Sequence, residues 1–540
     1  MQGMKKILLS LLLFSCFVGF SQEDAWVYFN VKNNSQTYFD NPLLMLSQRA
    51  LDRRTKQNIA LDLKDIPIDP TFISQVKSVS GITVMAQSKW LNALHIRGSQ
   101  TDINSLKSFS FVEKVDFANK SLNQTARNTV ATKIKAVNKV LETLVNFAYG
   151  SSANQIQMLS GDLLHQQNYT GSGKIIAVLD AGFPGVNTAQ PFQRLRDNNQ
   201  ILGGYDFVNS NADFYTGSSH GTMVLSTMGG YQENGLVGTA PDASYYLFIT
   251  EDVGSENPVE ESYWVEAAEN ADSLGVDVIN TSLGYFDYDN TGYSHTYSEM
   301  DGKTTFMTRG AEIAFSRGMI VVVSAGNEGA TANPHIAVPA DGVSVLTVGA
   351  VTASKTVTSF SSIGPSYDGR VKPDVMAQGQ ATVLSDPLGN IVTANGTSFS
   401  SPIMAGMVTS LWQAFPKKTN KEIRDLTLKS ADRFLVPTTE YGYGIPNFSL
   451  ALSNGLATEE VSKTNIILHP NPTSDYSIVS FSANLQKGTI RVYAITGQKV
   501  LEKIITKESS TISLKGFQSG IYIYDIDLDG TVKTGKIIKQ

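Results

Sequence analysis

Short β-branched runs alternate with longer segments of helical composition through the middle of the chain, and no other feature limits the fold as tightly. The runs lie at residues 174–179, 244–249, 276–280, 319–324 and 343–348, with segments such as 260–274 and 308–317 between them. Each run is apolar along its length instead of alternating, so both faces of each strand are expected to be covered. This predicts an α/β domain built on a parallel sheet with helices on both sides. In such sheets ligand sites lie beyond the carboxyl ends of the strands.

The whole chain has 540 residues, more than the ~250–300 at which one hydrophobic core stops growing. Charge marks the divisions. Residues 22–118 hold 11 basic and 10 acidic side chains, residues 119–150 hold 5 and 1, residues 151–455 hold 15 and 30, and residues 456–540 hold 10 and 8. The first block mixes strand-like runs (26–29, 92–96) with helical stretches (42–54, 71–78) and reads as a small α+β domain. Residues 119–150 read as a linker, and 456–465 as a second one. Residues 466–540 change character. Short alternating runs separated by Thr-Gly, Ser-Gly and Asp-Gly turns predict an all-β sandwich. The net charge of −6 gives no sign of a polyanion partner, and no nucleic acid is expected.

Residues 1–21 have the form of a cleaved signal peptide: Lys5-Lys6, an apolar run over 7–20, then small and polar residues around Ser21. A lipoprotein reading through Leu13-Phe14-Ser15-Cys16 is the rival, against which stand the bulk of Phe14 and the apolar run continuing past Cys16. Cys16 is the only cysteine. Beyond it disulfides, thiolate metal sites and a cysteine nucleophile are excluded.

Three segments of the acidic block carry chemistry. In Lys174-Ile-Ile-Ala-Val-Leu-Asp-Ala-Gly a buried strand ends on Asp180. In Ser219-His220-Gly221-Thr222 a histidine stands on the first turn of a helix. In Asn395-Gly396-Thr397-Ser398-Phe399-Ser400-Ser401-Pro402, Pro402 fits the first turn of a helix and Ser398 stands at or just before its N-terminus. Taken singly, each has a plain structural reading: a turn-capping Asp, a surface or core His, an N-cap Ser. Together they supply a nucleophile, a base and an orienting carboxylate in the order Asp, His, Ser. A fourth segment, Met319-Ile-Val-Val-Val-Ser-Ala-Gly-Asn, places Asn327 just beyond a buried strand. There its amide can donate to an oxyanion alongside the Ser398 N–H.

With these motifs, and with Ser282-Leu283-Gly284, Ser359-Phe-Ser-Ser-Ile-Gly-Pro and Lys372-Pro-Asp-Val, the block resembles the subtilisin-like serine proteases over most of 151–455. The resemblance implies Asp180, His220 and Ser398 as the triad and Asn327 as the oxyanion-hole donor. It makes Ser282, Leu283 and Gly284 the lining of the primary specificity pocket. Two departures are Ala377-Gln378-Gly379 for the usual Ala-Pro-Gly and Phe399 where Met commonly follows the nucleophile. The first domain resembles the Bacteroidetes-type propeptide of secreted subtilases, through Leu46-Ser-Gln-Arg-Ala-Leu-Asp-Arg-Arg and Ser88-Lys-Trp-Leu-Asn. The last resembles the sorting domain of the type IX secretion system, through His469-Pro-Asn-Pro-Thr and Gly520-Ile-Tyr-Ile-Tyr.

The implied protein is an exported, monomeric endopeptidase made as a zymogen and matured within 119–150. It crosses the periplasm to the cell surface or the medium, and its partners are peptide substrates and the secretion machinery. It requires no cofactor. The acidic balance leaves room for structural calcium, yet no cluster has calcium-loop spacing, so no metal site is assigned. The alternatives are a catalytically silent binding protein on the same scaffold and a serine–glutamate–aspartate carboxyl protease, which uses no histidine base. Finally, residues 251–272 carry eight acidic residues and no Lys or Arg. Glu251 and Asp252 follow a strand and read as bordering the cleft, which implies a preference for basic residues before the scissile bond. The carboxylates of 260–272 read equally as cleft border or solvated helix face.

Overall fold

The computed structural model describes residues 22–123, 147–463, 467–480, 487–506, 510–528 and 531–540. The signal-peptide reading and most of the 119–150 linker lie outside them. Two compact units divide the chain at residue 452.

The first unit opens with an antiparallel sheet of β1 (Gln22–Phe29), β2 (Thr83–Ser88), β3 (Ala93–Ser99) and β4 (Val112–Phe117), in the order β2-β3-β1-β4. Alternation divides its faces. Val27, Phe29, Leu94, Ile96, Val115 and Phe117 pack on Phe72 and Val76 of a helix that follows Pro70. The other face carries Trp26, Tyr28 and His95. Between β1 and β2 a helical stretch is built around α1 (Gln48–Lys56), capped by the Ser47 hydroxyl.

The sheet that follows is parallel and seven-stranded. In chain order it comprises β5 (Ile175–Asp180), β6 (Ile201–Asp206), β7 (Ser244–Ile249), β8 (Val278–Thr281), β9 (Ile320–Ser324), β10 (Leu346–Val351) and β11 (Val375–Gln378). The spatial order is β11-β10-β9-β8-β5-β7-β6. The parallel α/β sheet expected from the five apolar runs is thus present. The two additional strands are β6, weakened by Gly203-Gly204, and the four-residue β11. Neither has a long apolar run to announce it.

The crossover helices are α2 (His220–Gly229), α3 (Val259–Leu274) and α4 (Phe306–Ser316), and α5 (Thr397–Ala414) and α6 (Asn420–Lys429) follow the last strand. Ala177, Leu179, Ile279, Val321 and Val323, alternate residues of three strands, share one core with α3 and α4. Helix α5 packs along β8 to β11 and against α2. It is buried around nearly its whole circumference, as a helix held between a sheet and other helices must be.

The N-terminal sheet sits on α3 and α4. Trp26 stacks on Phe306 with ring centroids 5.1 Å apart and donates from Nε1 to Ser262 Oγ at 2.9 Å. Glu269 of α3 accepts from Ser88 Oγ at 2.6 Å and from the Lys89 and Trp90 N–H groups at 2.9 Å each. Glu261 accepts from His295 and Tyr288. Residues 260–272 therefore border no cleft and form no solvated face. Glu260 accepts from the Asp252 and Asn257 N–H groups of the loop before α3, at 2.8 Å each, and Glu261, Glu266, Glu269 and Asp272 hold the N-terminal domain or the chain that follows β8.

The second unit, residues 453–540, contains two antiparallel sheets. One has three strands (Ile467–His469, Tyr476–Ser480, Thr511–Ser513), and the other has four, in the order Lys499–Thr506, Lys487–Ala494, Gly520–Leu528, Thr531–Lys539. Val479 and Ile512 of the first meet Ile490, Val492, Ile505, Ile526 and Ile537 of the second in one core, which makes a sandwich. No helix among the described residues is long and apolar enough to cross a membrane.

Both flanks of the first linker are anchored. Lys120 donates to Ser294 O and to Glu299, each within 2.9 Å. Asn234 N–H donates to Ala148 O at 2.9 Å, and Tyr149 is hydrogen-bonded to His165 at 2.9 Å. Maturation is expected within residues 119–150, the polar stretch that joins the two domains. N-terminal sequencing of the active enzyme checks this, and a first residue outside that window contradicts it.

Candidate active site

Strand β5 delivers Asp180 to the carboxyl edge of the sheet, fully buried. Its Oδ1 accepts from the Ala181 N–H at 2.8 Å and from His220 Nδ1 at 2.7 Å. A carboxylate only accepts here, so the imidazole proton sits on Nδ1 and Nε2 keeps its lone pair. His220 opens α2, and Gly221 makes the approach possible. A Cβ there would lie 2.5 Å from Gly182 O and 3.0 Å from Asp180 Cβ.

Ser398 is the second residue of α5, among the N–H groups that have no intrahelical partner. Its Oγ donates to Ser282 O at 3.3 Å and not to the imidazole. The expectation that Pro402 lies in the first helical turn is corrected. The helix begins at Thr397, which puts the proline in its second turn. A proline there withholds a hydrogen bond from the carbonyl four residues earlier, that of Ser398. Ser282 Oγ supplies it instead, at 2.8 Å. The proline thus frees a carbonyl that ties the Ser398 helix to the end of β8.

Asn327 lies three residues past β9. Its Oδ1 accepts from Thr397 N–H at 2.9 Å and Thr397 Oγ1 at 3.1 Å. This fixes the flip of the amide and leaves Nδ2 to face the cleft. Thr397 is a positioning residue that sequence reasoning missed, although it stands inside the motif. Asp180, His220, Ser398 and Asn327, from four separate segments, are thus gathered at one end of the sheet. Among the described residues no group of three or more His, Asp or Glu side chains could hold a metal ion.

Residues 171–445 match the model of the subtilase family. Subtilisin NAT of Bacillus subtilis subsp. natto is 33% identical over 300 residues, 55% of this chain and 70% of that protein. The subtilisin of Bacillus pumilus is 32% identical over 300 residues and covered to 97%. Among solved structures, that of the prenylagaramide maturation protease PagA overlaps 55% of this chain and 98% of its own at 21% identity, with a TM-score of 0.43. The chain belongs to the subtilase family. Residues 24–135 match the Bacteroidota peptidase S8 propeptide domain, and residues 467–540 match the secretion-system C-terminal sorting domain. The protein is therefore a serine-type endopeptidase with a propeptide, exported to the medium or the cell surface, and its partners are peptide substrates and the type IX machinery.

The cleft of this subtilase has a volume of about 610 Å³ and is lined by His220, Ser398, Asn327 and the Ser282-Leu283-Gly284 segment. Four carboxylates also line it: Glu251, Glu256, Asp287 and Glu328. No lysine or arginine is among the lining residues. Glu251 accepts a short hydrogen bond from the Tyr285 hydroxyl. Asp252, expected beside it, does not line the cleft. It caps its own turn, accepting from the Gly254 N–H at 3.0 Å and Ser255 Oγ at 3.1 Å. Glu256 belongs to the acidic run of 251–272, whereas Asp287 and Glu328 escaped sequence reasoning because they lie on irregular segments that no periodicity places.

Both departures from the family pattern are accommodated locally. Phe399 packs on the His220 ring with centroids 5.8 Å apart. The Gln378 amide takes over the turn-fixing role of a proline, donating to Gln380 O and Ala381 O at 3.2 and 3.3 Å.

Burial pulls the His220 pKa down, but the charge and hydrogen bond of Asp180 outweigh it, and Glu251 adds to them, so the net shift is upward. Burial pushes Glu251 itself up to about 7, reinforced by Glu256 and Asp180 and opposed by Tyr285. A base must be neutral to act. Activity should therefore rise with pH through a midpoint above the ordinary ~6.5 of histidine. Replacing Glu251 by Gln removes a charge that favours imidazolium and should move the midpoint to lower pH. A kcat/KM profile from pH 5 to 9 checks both; an unmoved midpoint in Glu251→Gln contradicts the coupling.

Proposed function

We propose that the protein hydrolyses peptide bonds through an acyl-enzyme on Ser398. His220 acts as base then acid, Asp180 as its orienting carboxylate and Asn327 as an oxyanion donor. The observation that carries this is the 2.7 Å contact from His220 Nδ1 to buried Asp180, made in the same cleft as Ser398. Rotation of the Ser398 side chain away from Ser282 O toward Nε2 would complete the line. Oγ then attacks the scissile carbonyl carbon as its proton passes to Nε2. The negative oxygen is met by Asn327 Nδ2 and the Ser398 N–H at the positive end of α5. The leaving amine takes the proton from Nε2. A water deprotonated by the same nitrogen then releases the acid and restores Oγ–H. Side chains and backbone of one chain perform every step, which fits a monomer working without a cofactor. The edge at Leu283-Gly284 would pair with the substrate backbone.

A fluorophosphonate tests the assignment. It forms a phosphorus–Oγ bond with loss of fluoride only at an activated serine. The matured enzyme should label, and Ser398→Ala should not. Ser398→Ala should lower kcat on the order of 10⁶-fold, a magnitude carried over from subtilisin itself. Asn327→Ala should lower it by roughly 10²–10³, since one donor is lost and the nucleophile stays. Labelling of Ser398→Ala, or an unchanged kcat in Asn327→Ala, removes that residue from its role.

The carboxylates of the cleft bear on substrate choice. Charges of one sign in a cleft concentrate ligands of the other. Peptides with Lys upstream of the scissile bond should be cleaved faster than their Glu counterparts by a few-fold, about 1 kcal/mol or less per exposed contact. The difference should shrink as salt shortens the ~8–10 Å Debye length. Equal kcat/KM for the paired peptides at low salt sinks this preference.

A further inference from the structure

At the opposite end of the parallel sheet from His220 and Ser398, α1 and the catalytic domain enclose a cavity of about 280 Å³. One wall is α1, with Arg49, Asp52, Arg53 and Lys56. The other is formed by Lys174 just before β5, Asp277 just before β8, and Lys418 in the turn after α5.

Charge in this cavity does not balance. Arg53 is spent on Asp272, which is not part of the lining. Four cations then face two carboxylates. Asp277 takes Arg49 at 2.5 Å and Lys174 at 3.6 Å, and its Oδ2 also accepts from the Ile175 N–H at 2.9 Å. Asp52 is exposed and accepts from Gln48 Nε2 at 2.9 Å. Lys56 and Lys418 have neither an ion pair nor a hydrogen-bond acceptor among the described residues. For Lys56, which is exposed, water suffices. Lys418 differs, because it is only 3% exposed. Its ammonium lies over the Phe415 ring, 5.2 Å from the centroid. A buried ammonium calls for an anionic partner, and no described carboxylate of the chain serves as one. Lys174 reports the same excess. Burial lowers its pKa against the pull of Asp277, and Arg49 and Lys56 lower it further.

We propose that this cavity binds a small divalent oxyanion of the phosphate class, held between Lys174 and Lys418 of the catalytic domain and Arg49 and Lys56 of the N-terminal domain. The two positive charges in excess match the two negative ones of such an ion. A tetrahedral oxyanion presents oxygens in several directions, so it can accept from both walls at once, and lysines serve it as point charges. Entry is past Arg49 and Lys56, which are both exposed. The propeptide match of residues 24–135 puts the two walls on domains that maturation separates. A bound oxyanion joins the walls, whereas their cations alone repel each other. The anion thus sets how firmly the propeptide is held on the catalytic domain before its release. This reading rests on the propeptide match and not on the triad.

The test uses the full chain carrying Ser398→Ala, so that self-cleavage plays no part. Inorganic phosphate is titrated in by calorimetry at constant ionic strength, with chloride making up the balance. Saturable binding of one phosphate per chain is expected. Lys418→Met should weaken it by about tenfold or more, the scale of a charge-assisted hydrogen bond lost from a buried place, and Lys56→Ala by a smaller factor of about threefold. Lys107→Ala, whose ammonium bonds Asn104 and does not line the cavity, should bind as the parent does. In phosphate-free buffer Lys418→Met should be at least as stable as the parent, since it removes an unpaired buried charge. If that variant does not fold, Lys56→Ala decides. The matured active enzyme, which lacks Arg49 and Lys56, should bind at least about tenfold more weakly than the full chain. No saturable binding beyond that of chloride overturns the site, as does undiminished binding in the lysine variants. Equal affinity in the matured enzyme overturns its sharing between the two domains.

Discussion

The first turn of the helix bearing Ser398 is stitched to the ends of two neighbouring strands, and the rest of the catalytic domain is arranged around that seam. Thr397 donates to Asn327 beyond β9, and Gly326 N–H returns a bond to Thr397 Oγ1 at 3.2 Å. Ser282 beyond β8 donates to Ser398 O. One turn deeper, Ser401 Oγ donates to Asn280 Oδ1 at 3.2 Å. A nucleophile, a specificity wall and an oxyanion donor must agree in position to within a fraction of an ångström for catalysis. Here their mutual placement is set by hydrogen bonds between their own neighbours and not by packing alone. Pro402 belongs to this logic: by declining to bond Ser398 O it makes room for the bond that joins helix to strand.

The sequence exposed the parts of this arrangement that have a local cause. Five strands were legible because a strand buried on both faces must be apolar throughout. Asp180, His220, Ser398 and Asn327 were legible because each closes or opens a regular element in a small-residue context. Strands β6 and β11 were not, since the first is interrupted by two glycines and the second is only four residues long. The seam itself was hidden for another reason. Thr397, Asn280 and Ser401 look like ordinary polar residues until the fold brings β8 and β9 beside α5, and no spacing along the chain encodes that meeting.

The acidic segment after β7 shows how charge misleads when read along the chain alone. Its carboxylates have different fates. Glu251 and Glu256 reach the cleft, while Asp252 closes a turn. Glu261 accepts from His295 Nε2 at 2.9 Å and Met307 N–H at 2.9 Å and so pins the chain after β8. Glu269 and Asp272 receive the propeptide. Glu260 is buried, which together with Glu251 pushes its pKa upward, and both its oxygens are turned to the Asp252 and Asn257 N–H groups of its own loop, so it does not line the cleft. A count of acidic residues therefore overstates the negative potential a substrate meets. What matters is which carboxylates are both exposed to the cleft and ionised.

The contact between propeptide and catalytic domain also illustrates why buried ion pairs are kept. Asp272 is fully buried and receives two arginines that are themselves almost fully buried. Such groups are expensive to desolvate, and apolar residues of the same shape would hold the two domains at least as firmly. Apolar surfaces, however, tolerate sliding, and a helix lying across the ends of others has many nearly equivalent registers. A guanidinium fork that must meet a carboxylate and a carbonyl at once has very few. The charges thus act on the choice of arrangement more than on its strength.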